Sequence, residues 1–463
     1  MAVAGLALTA VVVLALLAVV HRYLWRRFVG DTTADGSVLR RTGTAAAFLL
    51  PLLSVGALVS GRTGAPFRLQ QALAWPGYLW LAALLYLTLA LLVGEAVRPI
   101  LRRALARRAH EPDRAWGTSA TKAPQAQVAA VGADTSATGI SATGISATDI
   151  SDACAAVTDA AVTDATATAD APAAGTLLAD TPAAPGPAAP TRRLFVARAV
   201  GGAAAVAGLG TVGYGTYGVL RGPRVKRITV PLAKLPRSAH GFRIAVVSDI
   251  HLGPILGRSH TRRIVDTINR TQPDLVAVVG DLVDGTVADL GPAAEPLALL
   301  SARYGSYFVT GNHEYYSGAA QWVDHVKELG LHPLENDRVE IGGFDLAGVN
   351  DIAGESEGQG PDFGRALGDR DPARAAVLLA HQPVVIHDAV AHGVDLQLSG
   401  HTHGGQLWPG NFVAELANPT VAGLDRYGDT QLYVSRGAGA WGPPVRVGAP
   451  SDITVVELAS RQA

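Results

Sequence analysis

Five clusters of polar residues in the C-terminal half of the sequence are of the types that hold metal ions. Each follows a short apolar run, and in chain order they are Asp249-Ile250-His251, Gly280-Asp281-Leu282-Val283-Asp284, Gly311-Asn312-His313-Glu314, His381 and Gly400-His401-Thr402-His403. Histidine mixed with carboxylate suits manganese, iron or zinc, whereas an all-oxygen set would suit magnesium or calcium. The chain has a single cysteine, Cys154, so a thiolate site is excluded. The clusters predict a site for two divalent metal ions.

Two cations held about 3.5–4 Å apart by a bridging carboxylate lower the pKa of a shared water and generate hydroxide at neutral pH. One cluster alone is a weak signal, because a lone Asp-x-His is more often a surface turn. Five clusters in order, each after an apolar run, are specific. The formal net charge of -1 gives no indication of a nucleic-acid partner.

The elements that must position these residues are short apolar strands alternating with amphipathic helices. The predicted strands are Phe242–Ser248, Leu275–Gly280, Ser306–Thr310, Phe344–Gly348, Ala376–Ala380, Leu396–Ser399, Leu432–Ser435 and Ile453–Glu457. The predicted helices are Ser259–Arg270, Ala319–Leu329 and Val384–His392. This alternation predicts a layered α/β domain over residues 221–463, with the polar clusters at the carboxyl ends of strands.

The N-terminal part has a different character. Residues 2–20, 43–61 and 76–94 are uncharged over a length that can cross a bilayer, so residues 1–108 are predicted to be a membrane region with three transmembrane helices. A secretory signal peptide is the alternative for the first segment, and a buried core helix is the alternative for the second and the third.

Residues 109–191 are predicted to be a disordered linker, because from residue 123 they lack lysine and arginine and are rich in Ala, Thr, Asp and Pro. The segment 192–220 begins with Arg192-Arg193-Leu194-Phe195 and continues as a Gly/Ala-rich apolar stretch. It resembles a twin-arginine signal that is retained as an anchor, and a plain fourth transmembrane helix is the alternative.

Arginine distribution predicts the orientation. Five arginines follow the first apolar segment and five follow the third, whereas only Arg62 and Arg68 lie between the second and third. By the positive-inside rule the chain enters the cytoplasm after the third helix, and the fourth segment carries the domain to the extracytoplasmic side. A basic group directly after the fourth segment opposes this: Arg221, Arg224, Lys226 and Arg227. The prediction is a multi-pass cell-membrane protein.

The ordered clusters resemble the calcineurin-like metallophosphoesterase family, whose pattern is D-x-H, G-D-x-x-D, G-N-H-E/D, H and G-H-x-H. All elements are present over residues 241–405. The longer motif from Gly400 to Gln406 and the N-terminal helices are similar to the membrane-associated bacterial branch. That branch includes twin-arginine-exported phosphoesterases, transmembrane proteins with a metallophosphoesterase domain and UDP-2,3-diacylglucosamine hydrolases. The implied fold is α/β, a four-layer β-sandwich flanked by helices and here preceded by transmembrane helices.

The resemblance also implies roles for the matched residues. Asp249, His251 and His403 would hold the first metal, and Asn312, His381 and His401 the second, with Asp281 bridging. His313 would act at the leaving oxygen, and Glu314 would brace its loop. Asp284 would either orient His313 or be a simple turn aspartate.

The function predicted is hydrolysis of a phosphomonoester, phosphodiester or pyrophosphate bond by in-line attack of metal-bridging hydroxide. The substrate is expected to be a phosphorylated small molecule or lipid, with the membrane close by, no nucleic acid and no obligate protein partner. The alternatives are a broad nucleotide phosphodiesterase and a non-catalytic membrane sensor, which would tolerate the loss of a ligand that this sequence retains. Trp408, Phe412, Trp322, Tyr315 and Tyr316 could form an apolar rim, although packing is the more common role of such residues.

Overall fold

The computed structural model describes residues 2–108 and 191–462. The predicted linker, 109–191, therefore lies outside the described residues except for its last position. Within the described parts, the apolar helices and the C-terminal domain form one compact unit.

Each of the four predicted apolar segments forms a helix. These helices are α1 (Ala2–Trp25), α2 (Val38–Arg62), α3 (Phe67–Arg108) and α4 (Arg192–Leu220). By length and composition, α2, α3 and α4 are able to cross a membrane. Most side chains in the first half of α1 lie outside the described residues. Helix α3 extends beyond the predicted segment 76–94 at both ends, into stretches that contain arginine, whereas α4 coincides with the predicted segment 192–220.

Helices α3 and α4 run antiparallel and approach closely. Gly208 of α4 lies against Leu87 of α3, where an added Cβ would stand 3.0 Å from the Leu87 backbone nitrogen. Gly94 of α3 similarly faces Val200 of α4. The absence of side chains at these glycines allows the close approach, as is common for helices packed in a membrane.

The C-terminal domain contains two six-stranded sheets. In chain order the strands are β1 (Arg224–Leu232), β2 (Phe242–Val247), β3 (Leu275–Val279), β4 (Ser306–Val309), β5 (His332–Pro333), β6 (Asp337–Ile341), β7 (Phe344–Gly348), β8 (Ala375–Leu379), β9 (Leu396–Ser399), β10 (Gly423–Tyr427), β11 (Thr430–Val434) and β12 (Asp452–Ser460). The strand orders are β1-β12-β2-β3-β4-β5 and β10-β11-β9-β8-β7-β6. In one sheet β2, β3 and β4 are parallel to one another, and in the other sheet β7, β8 and β9 are.

Seven helices complete the domain: α5 (Arg258–Arg270), α6 (Val287–Ala294), α7 (Asn312–Ser317), α8 (Ala319–Glu328), α9 (Phe363–Leu367), α10 (Ile386–Ala391) and α11 (Gly410–Ala417). Alternating residues of a strand face different layers. Ile244 and Val246 pack in the core between the sheets, whereas Ala245 and Val247 pack under the outer helices. A second outer core covers the other sheet through α9 and α10. Both faces of each sheet are therefore buried, which explains the continuous apolar runs.

The predicted α/β fold with helices flanking a β-sandwich is confirmed. All eight predicted strands and all three predicted domain helices are present, each end within three residues of the prediction. The elements not predicted are mainly sheet edges and short helices, including β1, β6, β10, α7 and α11.

Candidate metal centre

The five polar clusters converge at one edge of the sandwich. Each follows the carboxyl end of a strand, namely β2, β3, β4, β8 and β9. Because the first three strands belong to one sheet and the last two to the other, the ligand loops meet across the top of the interface between the sheets. The structure therefore brings together residues that are up to 154 positions apart in the chain, from Asp249 to His403.

Backbone strain is concentrated at this edge. Among the described residues, eight non-glycine residues have positive φ, and five of them are candidate ligands: Asp249, His251, Asp281, His401 and His403. The left-handed region costs a residue with a Cβ about 1–2 kcal/mol. Such conformations persist where the surrounding structure holds them for function. The strain turns consecutive side chains away from the strand direction and toward a common point.

Three side chains form what we call the first donor set: Asp249, His251 and His403. Nε2 of His251 lies 3.0 Å from Nε2 of His403, and Nε2 of His403 lies 3.3 Å from Oδ1 of Asp249. All three residues are buried. Their ligand atoms are close enough to one another to bind one ion.

A second donor set consists of Asn312, His381 and His401. Nδ1 of His401 is 3.0 Å from Oδ1 of Asn312. Asp281 lies between the two sets: its Oδ2 is 3.1 Å from Nε2 of His381 and 3.7 Å from Nε2 of His251. Asp281 is thus the carboxylate within reach of both sets.

Hydrogen bonds on the far side of two imidazoles orient their free nitrogens toward the centre. Nδ1 of His251 is 2.8 Å from Oδ1 of Asp284, and Nδ1 of His381 is 2.9 Å from the carbonyl oxygen of Val279. Both partners are acceptors, so in the neutral form of each ring, the form that binds a metal, Nδ1 carries the proton and the lone pair of Nε2 faces the site. Metal-bound histidines are commonly held in this way.

Electrostatics in the first donor set favour a cation. Burial alone would lower the pKa of His251, but Asp284, Asp281 and Asp249 outweigh it and raise that pKa to about 9. Burial, followed by the charge of a protonated His251, holds the pKa of His403 well below its usual range. The carboxylates therefore attract one proton to this set, at the place where a divalent ion would otherwise bind.

In the second donor set, too, the pKa of one histidine is raised and that of the other is lowered. Burial opposes protonation of His381, but Asp281, Asp249 and Asp351 raise its pKa well above the usual value. Burial and then His381 lower the pKa of His401 to about 4. Each set thus contains one basic imidazole and one that stays neutral.

The two buried carboxylates of the site have the surroundings expected of ligands to divalent metal ions. Asp249 and Asp281 are 0% and 2% exposed. Within the described residues their ion pairs are to histidines alone, not to lysine or arginine. Buried carboxylates without a permanent cation are costly unless a metal compensates them, so the donor set fits divalent metal ions.

His313 stands beside the centre rather than in either set. Its Nδ1 is 2.7 Å from Oδ1 of Asp284, the same oxygen that contacts His251. Its ring packs edge-on against Tyr316 and Trp441, with centroid separations of 5.6 Å and 5.7 Å. His313 is partly exposed, so its Nε2 can reach a bound molecule.

Glu314 braces two of the ligand loops. Its buried carboxylate accepts hydrogen bonds from the backbone nitrogens of Asp281, Leu282 and Gly311, at 3.0, 2.7 and 2.6 Å. Burial and then the charge of Asp281 raise its pKa to about 7. Gly311 has no room for a side chain, because an added Cβ would collide with Oδ1 of Asp281.

Arg446 supports the metal centre but was not predicted from the sequence. Its guanidinium is buried and donates to the carbonyl oxygens of Gly439, His403 and Ala449, at 2.7, 3.1 and 3.1 Å. It fixes the loop that carries His403. No motif or spacing in the sequence marks this arginine, since only the fold brings it beneath the ligand loop.

The aromatic residues named from the sequence have different positions. Trp322 is fully buried in the core under α8, whereas Tyr316, Trp408 and Phe412 are 76%, 50% and 57% exposed. Trp441, which the sequence did not single out, is 56% exposed beside His313. Tyr316 and Trp441 therefore flank His313, whereas Trp322 lies away from the site in the core.

Comparison with known proteins assigns the family. The calcineurin-like phosphoesterase family matches residues 242–405. An uncharacterized metallophosphoesterase from Helicobacter pylori is 38% identical over 256 residues, which cover 54% of this chain and 68% of that protein. The chain belongs to the calcineurin-like phosphoesterase family. Its domain is that of a phosphoester hydrolase, and the five polar clusters all lie in the matched region.

One further protein and one solved structure are similar to part of this calcineurin-like phosphoesterase. A Danio rerio protein named transmembrane protein with metallophosphoesterase domain is 39% identical over 259 residues. The alignment covers 53% of this chain, and the chain spans 59% of the length of that relative. A solved dimetal phosphatase from Danio rerio aligns with a TM-score of 0.34 and 13% identity, over 48% of this chain and 93% of that one.

Proposed function

We propose that this protein is a membrane-anchored phosphoesterase with two divalent cations, manganese, iron or zinc, that hydrolyses a phosphomonoester, phosphodiester or pyrophosphate bond. The observation that carries the proposal is the meeting of two donor sets at Oδ2 of Asp281, 3.1 Å from His381 and 3.7 Å from His251. When bound, two such cations supply an acidic water for attack on phosphorus and offset charge on the phosphoryl oxygens. Asp249, His251 and His403 would hold the first cation, and Asn312, His381 and His401 the second.

His313 is assigned to the leaving group. Its Nδ1 proton is donated to Asp284, so Nε2 is the atom that faces a substrate. Despite burial, which acts in the opposite direction, His251 and His313 hold the pKa of Asp284 at about 2. The Asp284 carboxylate orients the ring through Nδ1, which leaves Nε2 placed to donate a proton to the departing oxygen. Asp284 is a positioning residue in this scheme.

The organic part of the substrate is assigned to a cleft beside the second donor set. This cleft of about 430 Å³ is lined by Asn312, Tyr316, Ile352, Ala353, Glu355, Gln382 and His401. Its lining combines an exposed aromatic ring, aliphatic side chains and hydrogen-bonding groups. Such a surface suits an amphiphilic phosphate better than a highly charged polymer, in agreement with a lipid-linked or envelope-related substrate.

The sidedness is also a proposal. Because α3 and α4 are antiparallel, Arg98, Arg102 and Arg103 of α3 lie at the same end of the bundle as Arg192 and Arg193 of α4. This arginine-rich end suits the cytoplasm, and the catalytic domain follows the opposite end. The basic residues after α4 are part of β1, which pairs with β12. Residues of a folded domain have little weight in the positive-inside rule, so we place the domain on the extracytoplasmic side of a multi-pass protein.

An activity assay tests the catalytic proposal. The full chain, purified in detergent and loaded with Mn²⁺, is given a soluble monoester and a soluble diester reporter. We expect hydrolysis of at least one reporter, and Asp281→Asn to reduce it by about 10³-fold, equivalent to about 4 kcal/mol of transition-state stabilisation. Asp266→Asn is the matched control, because Asp266 lies on the exposed face of α5.

Hydrolysis that is unaffected by Asp281→Asn would contradict the assignment. A panel containing a glycerophospholipid, UDP-diacylglucosamine and a cyclic or linear nucleotide then separates the lipid substrate from the nucleotide alternative.

Protease accessibility of the domain in intact cells tests the sidedness, and protection from the protease would reverse the orientation.

A further inference from the structure

Within residues 2–108 and 191–462, no segment covers the apolar side chains of helix α11. It begins seven residues after the ligand His403, and none of its residues is buried. Phe412, Val413 and Leu416 are 57%, 69% and 87% exposed, and Trp408 just before the helix is 50% exposed. The positions 412, 413 and 416 share one face of a helix. Glu415 is the one charged residue of α11. An exposed apolar face of this kind marks an interaction site.

The segment that leads into α11 is attached to α3. The hydroxyl of Tyr86 in α3 donates a hydrogen bond of 2.9 Å to the carbonyl oxygen of Trp408. Leu407 packs against the hydrophobic core that joins α3 to α4. The ligand loop and α11 are therefore beside the apolar helices and not separated from them by a stalk.

Helix α4 contacts the same region through a glycine. The backbone nitrogen of Arg446 donates to the carbonyl oxygen of Gly215 at 3.3 Å. An added Cβ at Gly215 would stand 2.6 Å from Cγ1 of Val445. Arg446 also holds the His403 loop, so this single residue connects α4 to a ligand of the metal centre.

Helix length places these contacts relative to a bilayer. The stretch from Val196 to Gly215 is roughly 28 Å long, close to the ~30 Å hydrocarbon thickness. On α3, Tyr86 lies only roughly 17 Å from Val97, which precedes the arginines of the cytoplasmic end. Gly215 is then at the outer boundary, and the bond from Tyr86 to Trp408 is within the outer half of the hydrocarbon. The exposed rings of Tyr214 and Tyr217 are at the level expected for an interfacial aromatic belt.

We infer that α11, with Trp408, inserts its apolar face into the outer leaflet of the same bilayer that holds α2 to α4. The inference rests on the proposed membrane anchoring. It commits to a lipid surface as the partner, because the segment is continuous with the helices that cross the membrane. Trp441, which packs on His313 and whose backbone bonds the side chain of Gln406 just before Trp408, then stands at headgroup depth. The metal centre opens toward the bilayer, and the substrate class is a phosphate carried by a membrane-embedded lipid.

The test measures depth directly. The full chain with Cys154→Ala carries a single new cysteine at Leu416→Cys, labelled with bimane and reconstituted in phosphatidylcholine vesicles. Lipids with a nitroxide at a shallow acyl position quench only a label that enters the bilayer. We expect quenching at least about threefold stronger than at Glu340→Cys, since an interfacial helix is buried by about 5–10 Å. Glu340 is exposed and lies near the end of strand β6 that is farther from the metal centre.

Val413→Cys provides a second position if the first variant misfolds, and the same ratio is expected there. Equal quenching at the α11 and Glu340 positions would overturn the inference. Release of the protein by carbonate washing would overturn it as well, by removing the anchoring. Hydrolysis of a soluble reporter by the same vesicles is recorded separately, so a failure of the catalytic proposal is visible as lost hydrolysis while the quenching ratio still decides the position of α11.

Discussion

The two donor sets are built from similar residues but differ in their surroundings. Asp249, His251 and His403 are all buried, with exposed fractions of 0%, 2% and 7%. In the second set His381 is buried, whereas Asn312 and His401 are partly exposed and line the cleft. The first set is enclosed by Asp284 and by the loop that Arg446 holds. From this difference we expect the second set, which lines the cleft, to contact a substrate more directly than the enclosed first set.

The largest expected effect compares one ligand from each set. His403→Ala and Asn312→Ala are each expected to reduce hydrolysis by about 10³-fold, because both cations contribute to the transition state. Metal content should differ between them. His403→Ala removes a buried ligand and should empty the enclosed first set, whereas Asn312→Ala should leave that set filled.

Metal analysis after dialysis against a weak chelator checks this difference. His387→Ala serves as the matched control, because His387 is exposed on α10 and belongs to neither set. If both ligand variants lose the same amount of metal, the two sets are equivalent and the comparison fails.

A smaller effect is expected at Asp284, whose Oδ1 contacts both His251 and His313. Asp284→Asn replaces a charged acceptor with a neutral one, so the metal affinity of the first set should decrease by about 10–100-fold. The second set does not contact Asp284 and should keep its affinity. Titration of the metal-free protein with Mn²⁺, monitored by calorimetry, resolves the two steps, and weakening of both steps would show that the sets are not independent.

The smallest difference is expected in the pH dependence. In the metal-free protein the pKa of His251 is raised to about 9, so at neutral pH this ring is protonated and must lose its proton to bind a metal. Metal affinity of the first set should therefore rise by about tenfold per pH unit up to about pH 9 and decrease on acidification. The second set has its own raised pKa at His381, so its affinity should change in the same direction.

Calorimetry in buffers of different ionisation enthalpy counts the protons released. About one proton should be released per cation at neutral pH. A first set whose affinity is constant from pH 6 to pH 9 would show that His251 is neutral before the metal binds.

Much of the sandwich was predictable, because strands buried on both faces are continuous apolar runs. Leu275–Val279 and Ala375–Leu379 are fully buried in every residue and were found almost to the residue. The edge strand β1 was missed, since its first residues are exposed and charged, and its partner β12 lies at the other end of the chain. Strand β10 was missed for the same reason, as its residues are at most partly buried.

The candidate site was predictable as a set of residues but not as a geometry. Spacing and residue type pointed to the donor residues that lie together in the described part of the chain, and their roles as ligands stay predictions. They did not reveal Arg446, which contacts the backbone and the ring of His403, or the positive φ angles that aim the ligands. Whether Asp284 is a turn residue or a partner of His313 could not be read from the sequence, and the distance of 2.7 Å favours the partner.

The position of Glu314 has a consequence for how such proteins can diversify. One carboxylate joins the Asp281 loop to the Gly311 loop through three backbone hydrogen bonds. An insertion or deletion in either loop would break this joint, so both loops are constrained to a fixed length. None of the three backbone hydrogen bonds of Glu314 involves the cleft wall from Ile352 to Glu355, and the neighbouring Asp351 is bonded to the Thr310 hydroxyl instead. New substrate preferences can therefore arise on the wall while the reaction centre is inherited unchanged.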